Sequence, residues 1–455
     1  MTSLILNNNL LDYQQKAVDK LMKYKVGALL MEQGTGKTIT TLEMIRQRYI
    51  AGKITKVIWL CPCNAKMNIK LEIEKQAPKE IEEIITICGI ETLSSSQRTI
   101  LKMLDLADKD TMLVIDEALL IKNPFAKRSM AIDNIARKCR YKMILNGTPI
   151  SRNEADLYMQ YCVLDWRILG YQSYYCFAAN HFEYDEYGKI RKVLDTDYLA
   201  EKIAPYSYQV KKEDCLQLPK KVYSSYGFDL TREQFELYVD TSERLLQLIT
   251  DEGDFKGIYR LFSGCSAVLA GKRLEFINDY HFETVEFFDD PRKNPRIKAT
   301  LKCLDKEKTI IFCRYKSEID ALMEILGDKA VRFDGSISRK QREKNLKEFQ
   351  NDKLYLIGNK RCMGYSLNLQ FCHKIVYMNN DWDLGTRLQS EDRVHRIGQK
   401  EQIKIIDIFA ENTLDVRILK CLYRKEDLLN SIQQNVKDQQ SLKEILKQKL
   451  FSKEE

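Results

Sequence analysis

Residues 26 to 45 read VGALLMEQGTGKTITTLEMI. A six-residue apolar run meets two glycines, a lysine and a threonine, then a stretch without glycine or proline. The run predicts a buried strand, the glycines a tight loop, and the remainder a helix. That order surrounds one point with backbone N–H groups and the positive end of a helix, which makes an anion site. Gly34, Thr35 and Gly36 form the loop, whose glycines let the backbone approach phosphate. Lys37 brings a point charge to the β and γ oxygens, and the Thr38 hydroxyl is placed to ligate Mg²⁺. The fuller pattern has a small residue where Met31 stands. G-x-G-K-T directly after an apolar strand still predicts a nucleotide site over a plain glycine turn.

The partner expected of such a loop is an acid at the end of a neighbouring strand. TMLVIDEA (111–118) supplies it. Asp116 suits the Mg²⁺ shell, and Glu117 suits orientation or deprotonation of the attacking water. Two adjacent carboxylates are costly without a cation, which favours a functional role.

Similar apolar runs recur at 56–62, 141–149, 308–313, 353–358, 373–381 and 403–409, with helix-like stretches between them. Strands alternating with helices predict an α/β fold with parallel sheets, in two layers. The middle, about 153 to 290, is rich in tyrosine and charge and predicts helical insertions. QLPKK (217–221) is the expected joint. The expected N-terminal lobe is 1–217, with a helical insertion at about 153–205. The expected C-terminal lobe is 218–455, with a helical insertion at about 225–290 and a polar helical tail at about 425–455.

The chain has 455 residues, a formal charge of +8 and 44% hydrophobic residues, which describes globular domains rather than a disordered chain. The mild basic excess is compatible with nucleic acid without demanding it. Thirteen cysteines in no paired pattern, with no secretory start, favour a reducing interior over a disulfide framework. Cys61 and Cys63 form a poor zinc signal and suit buried or strand thiols. No apolar run approaches about 18 residues, so no membrane span is expected.

Late in the chain stands QSEDRVHRIGQK (389–400). Arg393 and Arg396 are three apart, so on a helix both guanidiniums leave one face. They either pair with Glu391 and Asp392 at the surface or wait for a phosphate held elsewhere. A γ-phosphate on Lys37 needs positive charge on its far side as the transition state develops. In that case Arg393 and Arg396 reach it only when the two lobes close.

Together these motifs resemble the Swi/Snf-type ATPases of helicase superfamily two, over about residues 10 to 425. LLDYQ (10–14) resembles the motif whose glutamine reads adenine, which implies Gln14. MEQGTGKT, then CPCNAKMNIKLEIEK (61–75), DEALLIKN (116–123) and LNGTPISRN (145–153) follow in the family's order. VKKEDCLQLPKK (210–221) is similar to its crossing between lobes. TIIFCRYKSEID (309–320), FDGSISRKQREKNLKEF (333–349), MGYSLNLQ (363–370) and finally RVHRIGQ complete the series. The resemblance implies two RecA-like lobes in tandem, use of ATP with Mg²⁺, and nucleotide contacts from Gly364 and Gln389. It also implies double-stranded DNA as partner, tracked along its backbone without sequence preference. Implied DNA contacts are Pro62, Asn64, Lys122, Asn123, Gly147, Thr148, Arg314, Asn368 and Trp382. The side chains among them also have plain readings as caps, turns or core contacts. The expected activity is a DNA-stimulated ATPase that translocates. The alternatives are a strand-separating helicase on forked DNA or RNA, and a scaffold that binds ATP and DNA but hydrolyses weakly. A compact bacterial or phage version implies a cytoplasmic site, and a eukaryotic one a nuclear site.

Four departures stand out, one of them Asp383 after Trp382, where asparagine or serine followed by proline is common. The family usually has histidine where Leu119 stands, serine or threonine at Asn146, and glycine at Ser366. Leu119 has no side-chain donor to reach the 145–153 motif, which predicts weaker or differently wired coupling to DNA.

Overall fold

A computed structural model describes residues 4–147, 154–184, 188, 190–249, 255–279, 281–363, 367–381 and 384–424. Thr148, Gly364, Trp382 and the expected tail helix at 425–455 lie outside the described residues. The chain divides into two compact units, residues 1–217 and 218–455.

The first unit carries β1 (Val26–Met31), β2 (Lys56–Cys61), β3 (Ile85–Gly89), β4 (Thr111–Asp116), β5 (Tyr141–Asn146), β6 (Phe182–Tyr184), β7 (Ile190–Val193) and β8 (Ser207–Val210). Six of these form one sheet in the order β3-β2-β4-β5-β1-β8, with every neighbouring pair parallel. The sheet is buried on both faces, which is why its central strands are mostly apolar. Along β1, Val26, Ala28 and Leu30 join one core, while Leu29 and Met31 join the other.

The second unit carries β9 (Lys221–Phe228), β10 (Lys272–Asn278), β11 (His281–Glu286), β12 (Thr309–Cys313), β13 (Ala330–Phe333), β14 (Tyr355–Asn359), β15 (Lys374–Tyr377) and β16 (Ile403–Ala410). Its sheet runs β13-β14-β12-β15-β16-β9, again parallel throughout. The α/β class with two tandem parallel sheets is borne out.

The stretches expected to be helical insertions hold helices, including Ala155–Asp165, Arg232–Gln247 and Phe255–Leu269. They also hold two antiparallel pairs, β6 with β7 and β10 with β11, which corrects the purely helical expectation. In β10 the residues alternate. Leu274 and Phe276 pack on the core of the Arg232–Leu269 helices, while Arg273 and Glu275 form a salt bridge at the surface. That period of two is a strand signal submerged in a charged segment.

Candidate active site

The first sheet gathers its chemistry at the carboxyl ends of its strands, where open parallel sheets bind ligands. The loop after β1 passes through Gly34 and Gly36, at φ of 82° and 89°. These left-handed conformations suit glycine. Gly36 caps the helix Lys37–Ile50, whose Ile39, Leu42, Met44 and Ile45 are buried. A Cβ on Gly36 would meet Gln14 Nε2 at 2.2 Å.

Gln14 is fixed by its own helix. In Asp12–Leu21, Gln14, Ala17, Val18 and Leu21 fall on one face and are buried. Its Oε1 accepts from the Leu11 backbone N–H at 2.9 Å, and its Nε2 donates to the Thr35 carbonyl at 2.9 Å. The Tyr13 hydroxyl donates to the same carbonyl, also at 2.9 Å. Burial, with Cys215 nearby, pushes the Tyr13 phenol up to about 12, which keeps it a donor. Thr35 Oγ1 donates to the Glu32 carbonyl at 2.6 Å, and Lys37 Nζ to the Met31 carbonyl at 2.9 Å. Thr38 opens the helix beside Lys37.

Asp116 ends β4, two strands from β1 in the sheet, with β5 between. At ordinary strand spacing, β1 and β4 stand roughly 10 Å apart. Glu117 follows with φ of 53°, a left-handed conformation uncommon for a non-glycine residue. Its N–H donates to Asp116 Oδ1 at 3.0 Å. The chain then makes a 3₁₀ turn, Ala118–Ile121. The Cys61 thiol, at the end of neighbouring β2, is held well above its usual range by burial and by the charge of Asp116.

The departures at Leu119 and Asn146 meet here. Asn146 ends β5 and is fully buried. Its Oδ1 accepts from the Leu119 backbone N–H at 3.2 Å, and its Nδ2 donates to Gln160 Oε1. The link between the two motifs therefore exists, carried by the backbone of residue 119.

Of the implied DNA contacts, Pro62, Asn64, Lys122, Asn123 and Gly147 follow the carboxyl ends of strands in the first sheet. Pro62 is buried just past β2, and Asn64 is exposed. Lys122 Nζ lies 3.3 Å from an Asp156 carboxylate oxygen, and exposed Asn123 caps the Phe125 N–H at 2.9 Å. A Cβ on Gly147 would stand 4.0 Å from Glu32 Cα, so this bend passes close beside the cradle loop.

In the second unit, Arg314 follows β12, its N–H donating to Glu318 at 3.1 Å and to Asn379 at 3.2 Å. The helix Leu384–Glu391 carries Gln389. Arg393 and Arg396 are not on it, which corrects the shared-helix-face expectation. Beyond Glu391 the chain tightens into turns, with Val394 N–H donating to Glu391 O at 3.0 Å and Gln399 N–H to Arg396 O at 3.0 Å. Arg396 donates to Asn368 Oδ1 and, at 3.4 Å, to the Leu367 carbonyl. The Leu369 N–H donates to the Arg393 carbonyl at 3.0 Å. The 363–370 motif and the arginine motif are thus tied together.

That helix is pinned by buried charge. Arg387 stacks 3.5 Å from the Tyr377 ring centroid and donates to Glu391 at 2.7 Å and to Asp407 at 3.0 Å. Glu391 also accepts from Lys221 and Tyr223, each at 2.8 Å. Burial pushes the Glu391 carboxyl up, but Lys221 and Arg387 outweigh it and hold the group below its ordinary range. Tyr13, Gln160 and the Arg387 network did not stand out in the sequence. Tyr13 alone had a signal, its place beside Gln14.

All thirteen cysteines are free thiols. Among the described residues there is no group of three or more His, Cys, Asp or Glu that could hold a metal, and no helix long and apolar enough to cross a membrane.

Comparison with known proteins adds a family. The SNF2-related domain matches residues 79–267, the helicase conserved C-terminal domain 293–398, and the type III restriction enzyme res subunit 7–87. The TATA-binding protein-associated factor MOT1 of Saccharomyces cerevisiae is 24% identical over 93% of this chain and 27% of its own length. The uncharacterized ATP-dependent helicase MG018 of Mycoplasma genitalium is 25% identical over 93% of this chain and 42% of its own. The chain therefore spans less than half of either relative. Among solved structures, the Sulfolobus solfataricus SWI2/SNF2 ATPase core in complex with dsDNA is 21% identical, covers 99% of each chain and has a TM-score of 0.44.

Proposed function

The chain belongs to the Swi/Snf-type ATPases of helicase superfamily two, and from that premise we propose that it is a DNA-stimulated ATP hydrolase that translocates on double-stranded DNA. The observation that carries this reading is the glycine loop. Gly36 has no room for a side chain against Gln14, and the loop shares one sheet edge with Asp116 and Glu117.

In this reading the loop amides of Gly34, Thr35 and Gly36 and the Lys37 ammonium hold the ATP phosphates, with Gln14 and Tyr13 fixing the loop. Gln14 meets the adenine edge, and Gly364 and Gln389 supply further nucleotide contacts. Thr38 and Asp116 would hold Mg²⁺, which neutralises charge on the β and γ phosphates when bound. Glu117 orients and deprotonates the attacking water. Arg393 and Arg396, from the second unit, stabilise charge on the transferred phosphoryl group. Pro62, Asn64, Lys122, Asn123, Gly147, Thr148, Arg314, Asn368 and Trp382 are the proposed DNA contacts, through side chains or backbone amides. Contacts of that kind give sequence-independent, salt-sensitive binding. Thirteen thiols suit a reducing compartment such as the cytoplasm.

Triplex displacement on duplex DNA tests the reading. ATP-dependent displacement, lost in Lys37→Ala, is the expected result. Unwinding of a fork without displacement would favour a strand-separating helicase, and DNA binding without turnover a scaffold.

A further inference from the structure

Residues 117–122 are held at both ends by one helix. At the near end, the Leu119 N–H donates to Asn146 Oδ1 at 3.2 Å, and Asn146 Nδ2 donates to Gln160 Oε1. Gln160 Nε2 donates in turn to the Asp156 carbonyl at 2.6 Å. At the far end, Lys122 Nζ lies 3.3 Å from the Asp156 carboxylate. Asn146 and Gln160 are fully buried, and Asp156 is nearly so. Gln160 and Asp156 both belong to the helix Ala155–Asp165. The ring therefore runs from Leu119, within the 3₁₀ turn, through Asn146, Gln160 and Asp156 to Lys122, the residue just after that turn.

Each member has a fixed polarity. The Leu119 N–H is a donor, so Asn146 must present its oxygen there and its NH₂ to Gln160. Gln160 must then present its oxygen to Asn146 and its NH₂ to the Asp156 carbonyl. A chain of buried amides with one permitted orientation at every step holds its ends in register. The residue just before the clasped turn is Glu117, kept at φ of 53°. A non-glycine residue persists in that conformation where its surroundings over-determine it.

We propose that Gln160 is a positioning residue for ATP hydrolysis: through Asn146 it fixes the turn that aims the Glu117 carboxylate at the attacking water. This rests on the ATPase reading above. Gln160 touches neither nucleotide nor metal in that scheme. A general base displaced by about 1 Å costs on the order of 10²-fold in turnover, while the phosphate cradle on β1 is left in place.

The test is steady-state ATP hydrolysis by the full chain, with thermal unfolding of each variant in parallel. Gln160→Met keeps the length and removes the hydrogen bonds to Asn146 and to the Asp156 carbonyl. It should lower kcat by about 10²-fold with KM for ATP little changed, the pattern of an interaction made only in the transition state. Asn146→Ser should do the same, because its hydroxyl is too short to span Leu119 and Gln160. Adding Leu119→His to Asn146→Ser supplies a side chain long enough to rebuild the link and should restore most of the lost kcat. Parental kcat in Gln160→Met overturns the proposal. So does a double variant no faster than Asn146→Ser alone, since the loss then reflects damage to the core. A parent chain without ATP turnover would instead sink the ATPase reading and this inference with it.

Discussion

Gly36→Ala puts the nucleotide cradle to a quantitative test. The new Cβ would lie 2.2 Å from Gln14 Nε2 and 3.3 Å from Ile39 Cγ2, at a φ of 89°. Two costs follow. A left-handed conformation costs an L-residue about 1–2 kcal/mol. The Gln14 amide must also leave the Thr35 carbonyl, and a buried hydrogen-bonding group left unpaired costs about 1–3 kcal/mol. The free protein escapes much of this sum by letting the loop shift. Binding ATP requires the loop to return, so the cost reappears as lost affinity. If about 2 kcal/mol reappears, at about 1.4 kcal/mol per tenfold, the dissociation constant rises about 30-fold. Titration with a fluorescent ATP analogue, on the parent, Gly36→Ala, Gln14→Ala and the double variant, measures it. Gln14→Ala removes the colliding amide, so in that background Gly36→Ala should cost only the backbone share, about tenfold or less. Equal losses in both backgrounds, or no loss at all, would refute the reasoning.

Two further outcomes are expected. Glu117→Gln should bind ATP as tightly as the parent yet fail to turn it over, because the base is lost while the cradle and Asp116 remain; equilibrium binding beside a phosphate-release assay shows both. Glu391→Gln should destabilise the second unit by about 1–3 kcal/mol, because it removes the carboxylate shared by half-buried Lys221 and by buried Arg387, which keeps its pairing with Asp407. Its signature is in pH. The Glu391 carboxyl is depressed in the folded state, so the stability it contributes is present above its unfolded pKa and lost as pH falls through the folded one. Urea unfolding from pH 7 down to about 3, spanning the ordinary glutamate range, should show a shallower acid loss in the variant than in the parent.

The strands that the sequence made legible, and those it concealed, divide by position. All eight interior strands of the two sheets, β1, β2, β4, β5, β12, β14, β15 and β16, coincide with apolar runs visible in the sequence. Within these two six-stranded sheets, the strands that escaped, β3, β8, β9 and β13, are the edges; the two hairpins β6-β7 and β10-β11 escaped as well. An edge strand has one neighbour and less burial, so its composition need not be uniformly apolar. β9, KVYSSYGF, shows this best, with its first half largely exposed. The glycine loop and the Asp-Glu pair were legible because backbone geometry and charge dictate those residue types locally. The Asn146–Gln160 link was not, since it joins residues fourteen apart through one buried bond. The helical placement of Arg393 and Arg396 failed because spacing alone does not show where a helix stops.

Steady-state ATP turnover with and without blunt duplex DNA, for the parent and Arg396→Ala, probes the motor most directly. Duplex should raise parental turnover about tenfold or more, a barrier change of about 1.4 kcal/mol. Arg396→Ala should bind ATP normally and turn over about 10³-fold more slowly, as expected on removal of an arginine finger. Turnover indifferent to duplex, or an Arg396→Ala enzyme as fast as the parent, would contradict the proposed DNA-stimulated motor with Arg396 as its arginine finger.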